Sequence, residues 1–577
     1  MDRIVVEKDV PCRMRDGTVL YANVYRPAEN GKFPVLLTRH PYGKDFPRFS
    51  HQYVDPLRLA QHGYVVIVQD VRGRWKSEGT FAPFKQEADD GFDAVEWAAG
   101  LPYSSGQVGM FGMSYHGYTQ LCAASRKPPH LRAIFPAMSF HDLREGLWFR
   151  GGAFELAMAE TWFLESIVPN ELERNCRDGA ELADKMRRWE EALDNIGAWH
   201  AYAPIDRWPP LKGDFAGLPI SGRFFEMLSR APDDEYWERL SLAGKLHGSG
   251  IPAFFLGGWY DCFLGSTIAC YTEMRSSARL MIGPWDHSLS APVVGERNFG
   301  FRSGADRVGG REDLTSLHLR WFDYWLKGRD TGIMSGAPVK LFVMGINKWR
   351  DEYEWPLART VYTPFYLRSG GRAGGRFGDG RLSPGMPGRE PPDEFVYDPQ
   401  HPVPTLGGAT LFAGGRNMGP RDQSGLEERE DVLVYTSEPL ERPLEVTGPV
   451  KVKLWVSTDA PDTDFSAKLV DVAPDGKAWN LTDGIVRLKY RNGFKPERPL
   501  KGETVLCEID LWATSNVFLP GHRIRLEISS SNFPRFDRNP NTGETTVRSD
   551  VMRRARQRVF HTGEFPSHVL LPVIPDA

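Results

Sequence analysis

A serine in a glycine-rich turn is the first feature of this chain that can do chemistry. Residues 108–117 read V-G-M-F-G-M-S-Y-H-G, so a short apolar strand runs into a Gly-x-Ser turn at Ser114 and then into a predicted helix. This layout is typical of a nucleophile elbow, in which a strained strand-to-helix turn projects a serine hydroxyl above a sheet. His116 stands where the G-x-S-x-G pattern has its second glycine, and Gly117 follows it. A serine in an ordinary strand-to-helix turn is the alternative that this motif alone leaves open.

A serine nucleophile needs a histidine to take its proton and a carboxylate to orient the imidazole. In proteins built around such an elbow, the chain order is serine, acid, histidine. Two later predicted strands end suitably: one runs into G-W-Y-D, ending at Asp261, and the next runs into P-W-D-H, ending at His287. Surface or helix-capping roles are the alternative for either residue. The chain order and the strand-end positions favour Asp261 and His287 as partners of Ser114.

Two hydrogen-bond donors are also needed to stabilise the oxyanion of a tetrahedral intermediate. The predicted strand at residues 33–38 is followed by R-H-P-Y, which ends at Tyr42. The Tyr42 hydroxyl and the backbone N–H of Tyr115 can supply these two donors. On chemistry alone, a buried structural tyrosine is an equal alternative for Tyr42.

The elements that must position these residues alternate between strands and helices in the first third of the chain. Short apolar runs rich in Val, Leu or Ile indicate strands at residues 18–25, 33–38, 64–69, 106–111 and 131–136. Apolar residues at helical spacing indicate a helix between them, and such alternation predicts a mostly parallel sheet covered on both faces. A helix-rich stretch interrupts this pattern at 141–241. We therefore expect an α/β domain in two parts, residues 1–140 and 242–354, with a helical insert at 141–241.

The last part of the chain has a different pattern. Beyond Trp355 the helix signals nearly vanish, and short strand-like runs are separated by Pro, Gly, Asp and Asn. Several short strands without intervening helices are typical of a β-sandwich. Residues 355–577 are therefore predicted to form a separate β domain, with a jelly roll as one possible form.

Composition and charge exclude several classes of protein. The 577 residues exceed what one hydrophobic core accommodates, and Lys+Arg 71 against Asp+Glu 75 gives a net charge of −4, which lacks the basic excess that nucleic acid requires. The longest apolar stretches are shorter than a membrane span. The six cysteines are scattered without a C-x-x-C pair, which is typical of neither a disulfide framework nor a zinc site. The N-terminal residues, rich in charge, do not resemble a signal peptide. We expect a cytoplasmic protein without nucleic-acid or membrane partners.

Longer motifs resemble those of one enzyme family over nearly the whole chain. They include R-H-P-Y, V-Q-D-V-R-G-R-W-K-S-E-G, V-G-M-F-G-M-S-Y-H-G-Y-T-Q, G-G-W-Y-D-C-F, G-P-W-D-H-S, D-T-D-F-S-A-K-L-V-D-V and A-T-S-N-V-F-L-P-G-H-R-I. The chain is similar to the cocaine esterase/X-prolyl dipeptidyl-peptidase family, the CocE/NonD hydrolases. The elbow motif of that family is G-x-S-Y-x-G, which accommodates the histidine after Tyr115.

The resemblance assigns roles to the residues already singled out. It implies that Ser114 is the nucleophile, Asp261 the orienting acid and His287 the general base. It also implies an oxyanion hole formed by the Tyr42 hydroxyl and the Tyr115 N–H. The implied architecture is an α/β-hydrolase core, a helical cap inserted after the sixth strand and a C-terminal jelly roll. Neither a metal nor an organic cofactor is implied, and relatives of this kind favour a homodimer.

The residues just beyond Asp261 indicate which class of substrate the protein is predicted to accept. Relatives specific for α-amino acid esters hold the substrate ammonium with carboxylates, two of them at this point, whereas this chain has Phe263 and Leu264. Phe263 resembles an apolar wall around an aromatic acyl group. The residues predicted to complete that wall lie in the insert and the β domain: Trp148, Phe149, Trp162 and Leu406. Each aromatic residue, taken alone, is more typical of an ordinary core.

The sequence therefore predicts a serine hydrolase that acts through an acyl-enzyme on small esters with a hydrophobic or aromatic acyl group. One alternative is an X-prolyl dipeptidyl-peptidase or amidase, which the family also contains. A second alternative is a ligand-binding protein without catalysis, in which the jelly roll makes the contacts.

Overall fold

The computed structural model describes residues 3–289, 291–412 and 417–575. The first part of the chain builds six strands and four α-helices. The strands are β1 (Ile4–Arg13), β2 (Val19–Pro27), β3 (Phe33–His40), β4 (Val65–Asp70), β5 (Ser104–Met113) and β6 (Leu131–Ala137). The helices are α1 (Pro47–Ser50), α2 (Pro56–Gln61), α3 (Glu87–Ala99) and α4 (Tyr115–Arg126).

A mostly helical segment follows β6. It contains two π-helical segments (Arg144–Trp148 and Trp162–Ile167), a short hairpin of β7 (Phe149–Arg150) and β8 (Ala153–Phe154), and a 3₁₀ turn (Ile205–Arg207). Its α-helices are α5 (Leu156–Thr161), α6 (Val168–Asn175), α7 (Gly179–Asp194), α8 (Ile196–His200), α9 (Pro209–Lys212), α10 (Pro219–Leu228) and α11 (Glu235–Leu240). We call this segment the cap.

The chain then returns to the first sheet. It adds β9 (Ala253–Tyr260), α12 (Leu264–Met274), β10 (Ala278–Asp286), a small hairpin of β11 (Val293–Val294) and β12 (Arg297–Asn298), α13 (Leu314–Lys327), β13 (Val339–Val343) and β14 (Lys348–Glu352). Three short 3₁₀ turns lie between these elements, at Arg275–Ser277, Phe301–Ser303 and Ala305–Arg307.

These strands form one ten-stranded sheet in the order β1-β2-β4-β3-β5-β6-β9-β10-β13-β14. Pairing is parallel from β4 through to β13 and antiparallel at both edges. Every residue of β4 and β9 is buried, as expected for strands covered on both faces. The helices α3, α4 and α12 cover one face, and α2 and α13 cover the other. The carboxyl ends of the parallel strands therefore meet at one edge of the sheet.

The rest of the chain forms a β-rich domain. Its strands are β15 (Val361–Arg368), β16 (Arg381–Ser383), β17 (Asp393–Tyr397), β18 (Leu433–Thr436), β19 (Leu444–Thr458), β20 (Asp464–Val472), β21 (Ala478–Arg487), β22 (Val505–Phe518), β23 (Arg523–Ser529), β24 (Ala555–Phe560) and β25 (His568–Ile574), with 3₁₀ turns at Leu426–Glu428 and Leu488–Tyr490. They form one eleven-stranded sheet, in which the long β19 pairs with β22, β24 and β25.

The β-rich domain contacts both other parts of the molecule close to the sheet edge. The Tyr260 hydroxyl, at the end of β9, donates to the carbonyl oxygen of Asn480 at 3.2 Å. In the cap, the Ala157 N–H donates to the carbonyl oxygen of Pro534 at 3.0 Å. The β-rich domain therefore contacts both the carboxyl end of β9 and the cap.

The predicted fold class is confirmed: an α/β-hydrolase core, an inserted helical cap and a C-terminal β domain. Our boundaries at 140/141, 241/242 and 354/355 stay predictions. The strand pattern missed β1, because this edge strand is mostly half-buried or exposed and three consecutive charged residues, Glu7 to Asp9, interrupt its apolar run. Among the described residues, no helix has both the length and the apolar character needed to cross a membrane.

Candidate active site

Ser114 lies in the tight turn between β5 and α4 and has a strained backbone conformation. Its φ is 64° and its ψ is −125°, a region that L-residues rarely adopt. A Cβ atom at Gly112 would lie 2.4 Å from the Cβ of His116, and one at Gly117 would lie 2.5 Å from the Cβ of Ser139. Both positions therefore require glycine, and the second lies at 117 because the helix turns that residue, not His116, toward Ser139.

Asp261 and His287 follow neighbouring parallel strands, β9 and β10, and so reach the same edge of the sheet. His287 Nδ1 and Asp261 Oδ1 are 2.6 Å apart. The other carboxylate oxygen accepts the N–H of Phe263 at 3.1 Å. Asp261 is fully buried and His287 is 8% exposed, so the pair is shielded from solvent but its outer edge is accessible. The carboxylate is thus positioned to hold the imidazole in one orientation and one tautomer.

Tyr42 brings a second hydroxyl to Ser114. Its hydroxyl lies near the Ser114 side chain, and its oxygen accepts from Trp162 Nε1 at 3.1 Å. Burial raises the pKa of Tyr42 to about 12, so the phenol keeps its proton. The N–H of Tyr115 is the first of α4, and such N–H groups have no partner within their own helix. Two donors therefore flank the position of the Ser114 hydroxyl.

Two hydrogen bonds hold the side chain of Tyr115, the residue that follows Ser114 in the elbow. Its hydroxyl donates to Glu87 Oε1 at 2.9 Å and accepts the N–H of Phe84 at 3.2 Å. Glu87 in turn pairs with the buried guanidinium of Arg39 at 3.1 Å. Burial raises the pKa of Glu87. Sequence analysis missed Glu87 and Phe84, because neither lies next to a catalytic motif in the chain.

An aromatic cluster extends from Tyr42 into the cap. The ring of Trp162 stacks with those of Tyr115 and Phe84, with centroids 6.2 and 5.6 Å apart. Trp148 joins the cluster through contacts with Trp162 at 6.2 Å and Phe84 at 6.0 Å. Trp148 ends one π-helical segment and Trp162 begins the other. π-Helical turns are rare and are frequently found at functional sites.

The remaining residues predicted for the substrate wall differ in their surroundings. Phe263 meets the His287 ring edge-on at 5.1 Å, so it lies directly beside the Asp–His pair. Phe149 packs against Phe154 at 5.6 Å and Trp237 at 5.5 Å. Leu406 is half-buried in the β-rich domain, where its carbonyl oxygen accepts from Gln423 Nε2 at 3.0 Å. The structure thus brings Trp148, Trp162 and Phe263 to the site, whereas the Phe149 ring contacts Phe154 and Trp237. The role of Leu406 in the substrate wall stays a prediction.

Within the described residues, one group of side chains is close enough together to hold a metal ion. The ligand atoms of Asp261, Cys262 and His287 all lie within 4.8 Å of one another. Two of these residues are already hydrogen-bonded to each other. Burial raises the pKa of the Cys262 thiol well above its ordinary value, which keeps the thiol protonated and a poor ligand. The arrangement therefore favours an acid–base pair over a metal centre.

Comparison with known proteins places this geometry among relatives. The X-Pro dipeptidyl-peptidase (S15 family) model matches residues 16–289, and the X-Pro dipeptidyl-peptidase C-terminal non-catalytic domain model matches 331–570. The cocaine esterase of Rhodococcus sp. (strain MB1 Bresler) is 40% identical over 580 residues, which cover 99% of this chain and 98% of that protein.

Two solved structures share the architecture over the full length. An aminopeptidase from a marine sediment Thaumarchaeota archaeon superposes with a TM-score of 0.82 at 25% identity, covering 99% of this chain and 97% of that one. An α-amino acid ester hydrolase superposes with a TM-score of 0.79 at 25% identity and the same coverage. With both domain models matched and a full-length relative at 40% identity, the chain belongs to the cocaine esterase/X-prolyl dipeptidyl-peptidase family, the CocE/NonD hydrolases.

Proposed function

We propose that this protein is a serine carboxylic-ester hydrolase that acts on small esters with a hydrophobic or aromatic acyl group. The observation that carries the proposal is the Asp261–His287 contact of 2.6 Å at the sheet edge where Ser114 occupies a strained elbow. The chain is similar over its full length to an enzyme named as an esterase, which supports the same conclusion. No cofactor enters the proposed mechanism.

The proposed mechanism has two halves. In the first, His287 takes the proton of the Ser114 hydroxyl as the serine oxygen attacks the ester carbonyl, and Asp261 stabilises the imidazolium. The Tyr42 hydroxyl and the Tyr115 N–H stabilise the oxyanion. The intermediate collapses to an acyl-enzyme, and the alcohol leaves with the proton from His287. In the second half, His287 deprotonates a water that attacks the acyl-enzyme, which releases the acid and restores Ser114.

The surroundings of the site support an uncharged acyl group. Phe263 and Leu264, the two residues where amino-ester relatives carry carboxylates, are 3% and 1% exposed. A substrate ammonium buried beside them would lose its hydration without a compensating charge. Trp148, Trp162 and Phe263 instead offer aromatic faces, which favour aryl groups in stacked or edge-on contacts.

Replacing the nucleophile tests the proposal. Ser114→Ala should lower hydrolysis of 4-nitrophenyl benzoate by about 10⁴-fold or more and abolish labelling by a fluorophosphonate probe. Ser125→Ala is the matched control, because Ser125 lies at the far end of α4 and bonds only the carbonyl of Cys122 among the contacts described. Turnover retained by Ser114→Ala would overturn the assignment. Absence of probe labelling in the unmodified protein would favour the ligand-binding alternative.

Amide cleavage is the second candidate function, favoured by the S15 family model and by the aminopeptidase of similar fold. A panel of 4-nitrophenyl esters against the matching 4-nitroanilides separates the two. We expect ester turnover to exceed anilide turnover for every acyl group. Comparable rates would replace esterase with amidase.

We further propose that the enzyme works in the cytoplasm as a homodimer. All six cysteines are unpaired thiols, which is typical of a reducing compartment. The dimer is what family resemblance implies for this chain. Light scattering on the purified protein tests the dimer, and a single protomer mass would contradict it.

A further inference from the structure

Phe84 separates the aromatic cluster beside Ser114 from a second space. This space lies between the core and the cap, over an aromatic and apolar floor formed by Phe84, Trp148, Phe163, Met227 and Trp237. We call it the cap crevice. Its volume of about 20 Å³ holds little more than one water molecule. The crevice is therefore closed to any organic group in this conformation.

The backbone of Phe84 is held in a strained conformation. Its φ is 70°, which is rare for a bulky residue. Its N–H donates to the Tyr115 hydroxyl at 3.2 Å, and its carbonyl oxygen accepts from the Tyr118 hydroxyl at 3.3 Å. Strain of this kind persists only where neighbours over-determine it, and it concentrates at ligand clamps. The two tyrosines of α4 thus fix the direction in which the Phe84 ring leaves the backbone.

Phe84 and Trp148 face both spaces. The Phe84 ring lies 5.1 Å from the Tyr115 ring and 5.6 Å from the Trp162 ring, on the side of Ser114. The same two residues, Phe84 and Trp148, line the cap crevice. Phe84 and Trp148 therefore belong both to the aromatic cluster beside Ser114 and to the lining of the crevice.

An ion pair closes the outer rim of the crevice. Lys85, the next residue in the loop, pairs with Glu226 of α10 at 2.8 Å, and Arg223 pairs with the same carboxylate at 3.1 Å. The Lys85 ammonium also lies 5.1 Å from the ring of Tyr236. The pair is about a quarter exposed, with side-chain values of 27% and 28%. This ion pair holds the loop that carries Phe84 against the cap. The mouth of the crevice is therefore polar, whereas its walls are apolar.

We propose that Phe84 is a specificity-determining gate of the acyl site. Rotation of its ring joins the site to the cap crevice, which then accepts the distal part of an extended hydrophobic acyl group, such as the second ring of a biphenyl carboxylate. With the ring in the position described, acyl groups no larger than one aryl ring are preferred. This inference rests on the proposed ester hydrolysis at Ser114.

The test compares three 4-nitrophenyl esters: the acetate, the benzoate and the biphenyl-4-carboxylate. In Phe84→Ala, we expect the kcat/KM ratio of biphenyl-4-carboxylate to acetate to rise about tenfold or more, because a removed ring relieves steric exclusion in an apolar pocket. Acetate is the reference in this ratio, because its acyl group is the smallest of the three; a change in acetate turnover that all three esters share leaves the ratio unaffected. Phe225→Ala is the matched control: this aromatic residue of α10 contacts Phe224 and Lys212, and its ratio should not change.

An unchanged ratio in a Phe84→Ala protein that still labels with a fluorophosphonate probe would overturn the gate. An equal fall in kcat/KM for all three esters, with labelling retained, would also overturn the gate. Phe84 would then act only through the position of Tyr115. If Phe84→Ala does not fold, Phe84→Leu decides, and its ratio must rise about threefold or the gate is wrong. If the unmodified protein neither labels nor cleaves the acetate, the proposed function itself has failed.

Discussion

The two sides of the candidate site are built in different ways. On the proposed catalytic side, Ser114, Asp261 and His287 each stand immediately after a strand of the central sheet, so backbone pairing fixes their relative positions. On the proposed acyl side, Phe84 comes from a loop, and Trp148 and Trp162 come from π-helical segments of the cap. No strand pairing connects these three rings within the described residues; they are positioned by contacts with one another and with α4.

This difference separates two tasks. Reaction geometry must hold to a fraction of an ångström, and a buried parallel sheet supplies that rigidity. Acyl recognition tolerates variation, because apolar contact is non-directional and scales with buried area. A family can therefore keep one set of strand-end residues and alter its substrates by changing loops and cap. The predictions below test whether the two sides of this molecule are in fact separable.

The largest effect should come from Asp261→Asn. An amide in place of the carboxylate leaves His287 in the wrong tautomer, and kcat should fall by about 10⁴-fold. The preference between acetate and benzoate esters should not change, because the acyl side is intact. Steady-state kinetics on both esters measure this. A fall that differs greatly between the two esters would show that the two sides are coupled.

Tyr42→Phe should have the next largest effect. It removes one oxyanion donor but keeps the ring stacked on Phe49, whose centroid lies 4.8 Å away. We expect kcat to fall about 10²-fold with little change in KM, since the lost hydrogen bond acts in the transition state. A rise in KM alone would instead place Tyr42 in substrate binding.

Trp148→Leu tests the acyl side alone. The substitution removes a ring that contacts Trp162 and Phe84 but leaves every group of the proposed mechanism in place. The benzoate-to-acetate ratio of kcat/KM should fall by about tenfold. Trp189→Leu is the control, since Trp189 lies in α7 and its Nε1 donates to the carbonyl of Leu164 at 2.8 Å. Equal losses on both esters would contradict an acyl role for Trp148.

The smallest effect concerns the pH dependence of stability behind the elbow. His116 stacks on His40 with centroids 4.3 Å apart, and burial lowers the pKa of His116 to about 3. The unfolded imidazole titrates near 6.5, so between pH 6.5 and about 3 the unfolded chain binds a proton that the native protein does not. The free energy of unfolding therefore falls as the pH falls through this window.

His116→Asn should reduce that loss by about 2 kcal/mol between pH 6.5 and pH 5. Thermal denaturation at both pH values, with the unmodified protein alongside, measures the difference. Asparagine retains a polar atom for Thr38 Oγ1, which lies 3.0 Å from His116 Nδ1. An identical pH dependence in the variant and the unmodified protein would show that His116 is not titrated on unfolding.

The residues of the proposed catalytic side could be singled out from the sequence, and most of those on the proposed acyl side could not. Ser114, Asp261 and His287 follow strands whose continuous apolar runs are readable, and the chain order of their residue types is itself informative. Phe84 and Glu87 carry no such signal: one lies in a loop after a proline, and the other is the first residue of α3. Phe149 was predicted to form part of the same wall as Trp148, but its ring, in the hairpin of β7 and β8, contacts Phe154 and Trp237.

The sequence by itself determined the α/β core, the helical insert and the β-rich third part, because hydrophobic periodicity reports burial along each element. It also determined which residue types end the strands, and through them the chemistry that this edge can support. Only the tertiary structure decided which aromatic residues cluster beside Ser114 and that Phe84 contacts this cluster and also lines the cap crevice. The physical reason is that these residues meet through side-chain packing between segments far apart in the chain. Such packing produces no periodic pattern in the sequence of either segment.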